Sequence, residues 1–154
     1  MTENLIVRSA QTQDLPNLME LYSQLHPGEQ NLSPEKAAGV LQEFSRYPGS
    51  SVFVGFLGEK LASTCALVVI PNLTRNGTPF ALIENVITEI SLRGRGFARQ
   101  MLDHAVSSAW QQDCYKVMLM TGSKNPSTLR FYANAGFEQT KTGFQIRRIP
   151  ERNS

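Results

Sequence analysis

The sequence is poor in the features that mark secreted, metal-binding and membrane proteins. It contains only two cysteines, Cys65 and Cys114, and neither belongs to a C-x-x-C pair or lies near a histidine cluster. This spacing argues against a disulfide framework and against a zinc site, so we expect no metal. The N-terminus has no cationic segment leading into an apolar run, and no apolar run approaches the ~18 residues of a membrane span. We therefore expect a cytoplasmic protein with no membrane partner.

The sequence also has little net charge. Its 15 Lys and Arg residues stand against 13 Asp and Glu residues, a formal charge of +2, which does not favour a nucleic-acid partner. The charge is unevenly distributed, because residues 1–60 carry four cations and seven anions, or −3. Residues 61–154 carry the remaining eleven cations and six anions, or +5. We therefore expect an anionic ligand to bind the later part of the chain.

The residues that are present predict one folded domain, residues 1–154. With 41% hydrophobic and 18% charged residues, the chain has the composition of a globular protein. Hydrophobic periodicity and turn residues predict the order β-α-α-β-β-β-α-β-α-β, from a strand at Leu5-Ile6-Val7 to one or two strands within 137–149. This order predicts an α/β (α+β) fold with a single mixed, mostly antiparallel central sheet flanked by helices.

A glycine-rich segment between an apolar strand and an amphipathic helix carries the strongest functional signal. It reads Arg93-Gly94-Arg95-Gly96-Phe97-Ala98. The glycines let the backbone turn tightly and approach a ligand, and the following helix N-terminus offers unpaired N–H groups and a partial positive charge. With three arginines at 93, 95 and 99, the segment predicts a cradle for a pyrophosphate. The alternative is a strand-to-helix turn with a solvated basic face.

Two common phosphate-binding motifs do not fit this segment. A dinucleotide fingerprint, G-x-G-x-x-G, would need a third glycine where Arg99 stands. A nucleotide-binding G-x-x-x-x-G-K-[ST] loop is absent from the sequence. The phosphate ligand is therefore expected to be neither a dinucleotide nor a nucleotide held in such a loop.

The segment instead resembles the acetyl-CoA loop of the GNAT acetyltransferase superfamily. Arg93-x-x-Gly96-x-Ala98 fits the family pattern [QR]-x-x-G-x-[GA]. A second segment, from Asn125 to Phe137, is similar to the family's N-x-x-A-x-x-F-Y-x-x-x-G-F and departs from it at Thr128. The resemblance covers residues 5 to 149. It implies a GNAT-like acyltransferase fold and N-acetyltransferase activity, with acetyl-CoA as the cosubstrate.

The resemblance also implies where acetyl-CoA binds. Pantetheine would pair with the exposed main chain of the strand before the loop, with Ile87 and Glu89 as the favoured partners, and the pyrophosphate would lie on N–H groups of the loop. Asn125 would contact the cofactor and is also a predicted helix N-cap ahead of a proline. The implied cofactor-binding residues are Ile87, Thr88, Glu89, Arg93, Gly94, Arg95, Gly96, Phe97, Ala98, Asn125 and Tyr132.

Tyr132 and Glu84 are the candidate catalytic residues. By the resemblance, Tyr132 occupies the position of the general acid for the CoA thiolate, and its alternative role is packing beside Phe131. Glu84 lies in an otherwise apolar strand beside the implied acetyl site. A carboxylate there is costly unless it is paired or functional, which makes Glu84 the candidate base. The alternative is that Glu84 faces solvent or pairs with a cation, and Glu89 is a weaker candidate base.

The acceptor has two opposing indications. The resemblance implies that it binds between residues 21–33 and the strands near the C-terminus, and the negatively charged surroundings of residues 21–33 favour a cationic amine. In contrast, Ile83-Glu84-Asn85-Val86 is similar to the corresponding stretch of amino-sugar-phosphate acetyltransferases. We expect a small-molecule primary amine acetylated by direct transfer in a ternary complex. The alternatives are a protein or peptide amine, or a non-catalytic sensor that binds acetyl-CoA. Homodimers are common in the family, so a homodimer is possible.

Overall fold

The computed structural model describes residues 3–151, and the chain divides into two compact units, Met1–Leu119 and Met120–Ser154. The strands are β1 (Ile6–Ser9), β2 (Ser51–Leu57), β3 (Lys60–Ile70), β4 (Phe80–Thr88) and β5 (Val117–Leu119). The helices are α1 (Leu15–Leu25), α2 (Pro34–Phe44), α3 (Phe97–Gln111) and α4 (Pro126–Asn134). None of the helices within residues 3–151 is long and apolar enough to cross a bilayer.

The five strands form one sheet in the first unit. Their spatial order is their order in the chain, β1-β2-β3-β4-β5, and neighbouring strands are antiparallel except for the parallel pair β4–β5. The parallel pair follows from α3, which connects its two strands and allows the chain to return in the same direction. The predicted single mixed, mostly antiparallel sheet flanked by helices is confirmed.

Helices cover both faces of this sheet. Val52 of β2 packs with Leu18 of α1 and Ala37 of α2 in one buried cluster. The next residue, Phe53, points to the opposite face and packs edge-on against His104 of α3, with ring centroids 4.7 Å apart. This alternation is the period-2 pattern of a strand that is buried on both sides.

Two helices begin at a side-chain cap, and the second of these caps, Asn125, was predicted from the sequence. The Ser33 hydroxyl accepts a hydrogen bond from Lys36 N at 3.3 Å ahead of α2. In the second unit, the Asn125 side chain accepts a hydrogen bond from Ser127 N at 3.0 Å ahead of α4. In both cases a proline follows at the first helical position, where no N–H group is needed.

The strands expected within 137–149 are absent from the described residues of the second unit, so this prediction is wrong. The apolar side chains of Phe144, Ile146 and Ile149 are 93%, 99% and 77% exposed. The alternation of apolar residues predicts a strand only where a neighbouring strand supplies hydrogen bonds and a surface to cover. Within this unit the contacts of the segment include the hydrogen bond from Arg147 Nε to Ile149 O at 3.1 Å and the packing of the Phe137 ring against Tyr132 of α4.

Candidate functional site

The strand β4 is paired on both sides over only part of its length. β5 pairs with β4 at residues 81–83, and within the described sheet the later residues of β4 pair only with β3. The N–H of Glu89 donates to Ala62 O of β3 at 2.8 Å. Because main-chain groups of a strand point alternately to its two sides, the main chain of Thr88 faces the open edge. This edge offers main-chain groups to an extended ligand.

This geometry distinguishes the three strand residues predicted to bind the cofactor. Glu89 uses both of its main-chain groups, since its carbonyl also accepts a hydrogen bond from Leu92 N at 2.8 Å. The Ile87 carbonyl accepts a hydrogen bond from Ser63 Oγ at 3.0 Å. The Thr88 carbonyl faces the open edge and accepts a hydrogen bond from the Arg93 side chain. Of the three residues, Thr88 has the main chain that is best placed to meet a ligand.

The glycine loop leads from this edge into α3. Gly94 and Gly96 have φ angles of +77° and +82°, in the left-handed region that favours glycine. A Cβ added to either glycine would meet no atom within 4 Å, so both face open space. Gly96 is the N-cap of α3 and supplies no side-chain hydrogen bond, which leaves the first N–H groups of the helix without a cap. The loop therefore fits a pyrophosphate.

The arginines of the loop contribute less free positive charge than their number suggests. The Arg95 guanidinium pairs with the Glu3 carboxylate. Arg99 Nε lies 2.9 Å from Asp103 Oδ1, one helical turn further along α3. Because carboxylates already pair with these two side chains, the main chain of the loop would supply the larger part of the predicted anion cradle.

The residue proposed as base lies at an irregularity of β4. The register with β3 shifts between Thr64 and Ala66, where β4 contains one extra residue and forms a β-bulge. Asn85 lies in the bulge with a φ of +52°. Glu84 and Asn85 are both exposed, and the Glu84 carboxylate makes no hydrogen bond or ion pair with the described residues of the first unit. The structure therefore has Glu84 facing solvent, as the alternative interpretation expected. Its role as the base stays a prediction.

The bulge in β4 was not predicted from the sequence. Its signal is present in the sequence, because Glu84 and Asn85 are adjacent polar residues inside an apolar strand and break the period of two. Asparagine also tolerates a positive φ better than most residues. This combination predicts a bulge, and with it a side chain directed away from its regular face.

Glu89 has a different environment from Glu84. Its carboxylate accepts hydrogen bonds from the main-chain N–H and hydroxyl of Ser91 and lies 3.6 Å from Lys60 Nζ. The Ser91 hydrogen bonds, assisted by Lys60, lower the pKa of Glu89. A carboxylate with a lowered pKa is a poor proton acceptor, so Glu89 is better explained as a cap of the short turn Ile90–Leu92 than as a base.

The second unit contains the other two predicted site residues. Asn125 has its side chain engaged as the N-cap of α4, and Tyr132 lies on the same helix. The Tyr132 ring packs edge-on against Phe131 and Phe137, with centroid distances of 5.1 and 6.4 Å. Burial raises the pKa of the Tyr132 phenol, which is therefore protonated at neutral pH. Asn125 thus caps its helix and Tyr132 packs against aromatic rings, as the alternative interpretations expected. The cofactor contact of Asn125 and the acid role of Tyr132 stay predictions.

A cavity of about 330 Å³ lies in the first unit between α1, α2 and the sheet. Most of its lining comes from apolar side chains of the two helices and their connection. From the sheet, Val52, Ala66 and Asn85 contribute. The cavity therefore reaches the bulge of β4.

The cysteines are not part of a reactive site. Cys65 and Cys114 are both free and buried. Burial raises the pKa of the Cys65 thiol to about 12, which keeps it protonated. Residues 3–151 contain no group of three or more His, Cys, Asp or Glu side chains that could hold a metal ion.

Comparison with known proteins identifies the family. The model of the Acetyltransferase (GNAT) family matches residues 15–137. This chain belongs to the GNAT acetyltransferase family. A solved structure of a candidate acetyltransferase from Agrobacterium tumefaciens str. C58 is 43% identical to this GNAT chain, with a TM-score of 0.87, over 93% of this chain and 99% of the other. A transcriptional regulator from Bacillus halodurans C-125 is 25% identical, with a TM-score of 0.83, over 93% and 99% of the two chains.

A curated relative shares part of its sequence with this GNAT chain. Glucosamine 6-phosphate N-acetyltransferase from Trypanosoma brucei brucei is 30% identical over 78 residues, which are 51% of this chain and 51% of that protein. The chain spans about half the length of this curated relative. Together the comparisons confirm the family and the fold expected from the two sequence motifs.

Proposed function

We propose that this chain is an acetyl-CoA-dependent N-acetyltransferase that acts on a primary amine of a small molecule, and that residues 1–154 form a single N-acetyltransferase domain. The observation that carries the proposal is the open edge of β4 that leads directly into the uncapped glycine loop, in a chain of the GNAT family. An extended amide chain ending in a pyrophosphate has groups complementary to both features. Main-chain pairing suits the amides, and the helix N-terminus suits the anion.

The proposed binding mode follows the order of these elements. Pantetheine pairs with the main chain near Thr88, and the pyrophosphate lies on N–H groups of residues 93–98. The open space around Gly94 and Gly96 supports this assignment, because a side chain at either position would enter the cradle. The arginine side chains add a smaller electrostatic contribution. Asn125 remains a proposed cofactor contact in addition to capping its helix.

The proposed reaction is a direct transfer in a ternary complex. A neutral amine nitrogen attacks the thioester carbonyl of acetyl-CoA, the C–N bond forms, the C–S bond breaks, and the sulfur leaves as a thiolate. Glu84, directly or through a water, takes the proton from the attacking nitrogen, and Tyr132 gives a proton to the thiolate. The position of Glu84 supports the first role, because it lies in β4 next to Asn85, which lines the cavity. The raised pKa of the Tyr132 phenol supports the second, because the proton is present at neutral pH.

Two measurements on the full chain test this function. Calorimetry should detect acetyl-CoA binding, and a free-thiol assay with amines grouped by charge should detect amine-dependent release of CoA.

Glu84→Gln should lower kcat by about 10²-fold or more while leaving acetyl-CoA affinity unchanged, because only proton removal is lost. Glu59→Gln, an exposed glutamate in the β2–β3 turn, is the matched control and should behave as wild type. If kcat is unchanged in Glu84→Gln, Glu84 is not the base and another group removes the proton.

A sensor that binds acetyl-CoA without turnover is the second candidate. The similarity to a transcriptional regulator from Bacillus halodurans supports it. A sensor would bind acetyl-CoA in calorimetry and release no CoA with any amine. Including peptides with free amines in the same panel separates a protein or peptide acceptor from a small molecule.

A further inference from the structure

The cavity between α1, α2 and the sheet lies next to the proposed reaction centre. It reaches Asn85 in the bulge of β4, and Asn85 is the neighbour of Glu84, the proposed base. The bulge breaks the regular alternation of β4, and Asn85 contributes to the cavity lining from within it. An acceptor in the cavity would therefore lie beside the strand along which the acetyl donor is proposed to bind.

The lining of this cavity is mainly apolar. Met19 of α1, Leu41 and Phe44 of α2, and Val52 of β2 are among the side chains that enclose it. Apolar surfaces of this kind favour an aliphatic or aromatic group, because binding removes both surfaces from water. The volume of about 330 Å³ is near the lower end of the range of about 300–1,000 Å³ for small-molecule sites. A body of a few carbon atoms or one ring suits this volume.

The charges around the cavity distinguish between classes of amine. Among the residues of the described chain that line it, none is a lysine or arginine. A phosphate or carboxylate on the acceptor would lose its hydration there without gaining a lysine or arginine partner, and His26 is the lining side chain that can carry a positive charge. The carboxylate that lines the cavity, Glu29, instead suits the ammonium form of an approaching amine. The cavity thus has the opposite charge preference from a phosphate site.

Two of the neutral polar groups in the lining, Asn85 and Tyr22, can orient the amine. Asn85 presents an amide oxygen that accepts hydrogen bonds and an amide nitrogen that donates them. Tyr22 also lines the cavity, and burial raises the pKa of its phenol, so this group stays neutral. Its hydroxyl already makes a hydrogen bond with the Thr64 side chain and has the capacity for a further one to a ligand. Few polar groups in an apolar site are enough to fix the orientation of a small ligand.

We propose that the acceptor of this chain is a small primary amine with an apolar body and without phosphate, bound in this cavity. The inference rests on the proposed N-acetyltransferase function and names its substrate class. It assigns to this chain a different acceptor from the sugar phosphate named for the Trypanosoma brucei relative.

The test compares apolar and phosphorylated amines with the full chain and acetyl-CoA. Phenethylamine and hexylamine are measured against glucosamine 6-phosphate and glucosamine in the free-thiol assay, with acetyl-CoA affinity measured separately by calorimetry. We expect kcat/KM for the apolar amines to exceed that for glucosamine 6-phosphate by at least about tenfold. If acetyl-CoA binds and glucosamine 6-phosphate is preferred, the substrate class is wrong and the proposed function stands. If no amine is acetylated, the proposed function fails and this inference fails with it.

A pair of leucine variants tests the place of binding. Leu32 lines the cavity and is 38% exposed, so Leu32→Arg introduces a cation there without disrupting the core. We expect kcat/KM for phenethylamine to fall by about tenfold and acetyl-CoA affinity to stay unchanged. Leu73→Arg makes the same substitution at a fully exposed leucine outside the cavity lining and should change neither quantity. An equal effect of the two variants, or none from Leu32→Arg, would overturn the assignment of the cavity.

Discussion

The guanidinium of Arg95, in the middle of the glycine loop, pairs with the carboxylate of Glu3 near the start of the chain. The same guanidinium lies over the ring of Phe97, 5.2 Å from its centroid. Arg95 is therefore held by two groups of the protein itself, and its charge is partly compensated. An anion bound in the loop would depend mainly on main-chain N–H groups.

Arg95→Ala should therefore weaken acetyl-CoA binding only modestly. We expect a change in Kd of about two- to fivefold, the size of an exposed ion-pair contribution. Glu3→Gln should strengthen binding by a similar factor, because the guanidinium becomes available to the ligand. Calorimetry at low and high salt measures both effects, which should shrink as salt increases. A loss of affinity of about a hundredfold in Arg95→Ala would show that side chains dominate the cradle.

Gly96→Val should abolish acetyl-CoA binding. The substitution fills the open space of the cradle and strains a backbone with a φ of +82°. Gly58→Val is a matched control, because Gly58 also has a positive φ, +60°, and open space around it, but lies in the β2–β3 turn. Both variants should lose about 1–2 kcal/mol of stability through backbone strain. Equal acetyl-CoA affinity in both variants would rule out the loop as the pyrophosphate site.

Tyr132→Phe should lower kcat by about 10²-fold, because the thiolate loses its proton donor. Burial raises the pKa of the phenol above its ordinary value of 10.0, so the donor keeps its proton throughout the neutral range. The alkaline decline of kcat that depends on Tyr132 should therefore lie above pH 10 in wild type and be absent in the variant. Tyr47→Phe, at a 53% exposed tyrosine, is the control. If Tyr132→Phe has the kcat of wild type, Tyr132 is not the general acid and its role is packing.

Asp14→Asn should destabilise the fold at neutral pH. The buried Asp14 carboxylate accepts two hydrogen bonds from the Arg8 guanidinium, at 2.6 and 2.9 Å, and one from Gln11 N at 2.7 Å. We expect the free energy of unfolding to fall by about 1–3 kcal/mol, because a charged acceptor is lost and its donors remain. Glu43→Gln, which removes an exposed pair with Arg46, should cost less than about 1 kcal/mol.

The effect of Asp14→Asn should also depend on pH. The hydrogen bonds from Arg8 lower the pKa of Asp14 below its ordinary value of 3.8. The stability that this carboxylate contributes is therefore fully present above pH 3.8 and is lost as the pH falls through the lower folded-state value. Denaturant titrations should show the gap between wild type and Asp14→Asn closing below that pH. A gap that is constant in acid would contradict the ion pair as its cause.

Cys65 should resist thiol reagents in the folded protein. Burial raises the pKa of this thiol to about 12, so at pH 8 only about 10⁻⁴ of it is thiolate. We expect mass spectrometry to show labelling that is slow in native buffer and rapid in guanidinium chloride. Equal rates in the two conditions would mean that the thiol is accessible in the native state. The same inertness keeps the protein's own thiol background low in the CoA-release assay.

The parts of the fold that depend on residues close together in the sequence were predictable from the sequence. The cap at Ser33, the turn between β2 and β3, and the glycine loop are each encoded within a few positions, and the structure contains all three. The absence of strands within 137–149 was not predictable in this way. Apolar alternation specifies a strand only when a partner strand is present, and the local sequence does not show whether there is one. The bulge at Asn85 had a local signal, but its consequence for the cavity had none.

The amino-acid sequence alone was enough to predict the order of most elements and the loop that marks the GNAT family, and the resemblance to that family implied the candidate acid and base. These depend on periodicity, glycine conformation and motif spacing, which act over short distances along the chain. Three features depend on the folded arrangement: Thr88 faces an open edge, Glu3 compensates Arg95, and no lysine or arginine of the described residues lines the cavity. Each of these depends on which distant residues pack together, and packing is a property of the whole fold rather than of any local pattern.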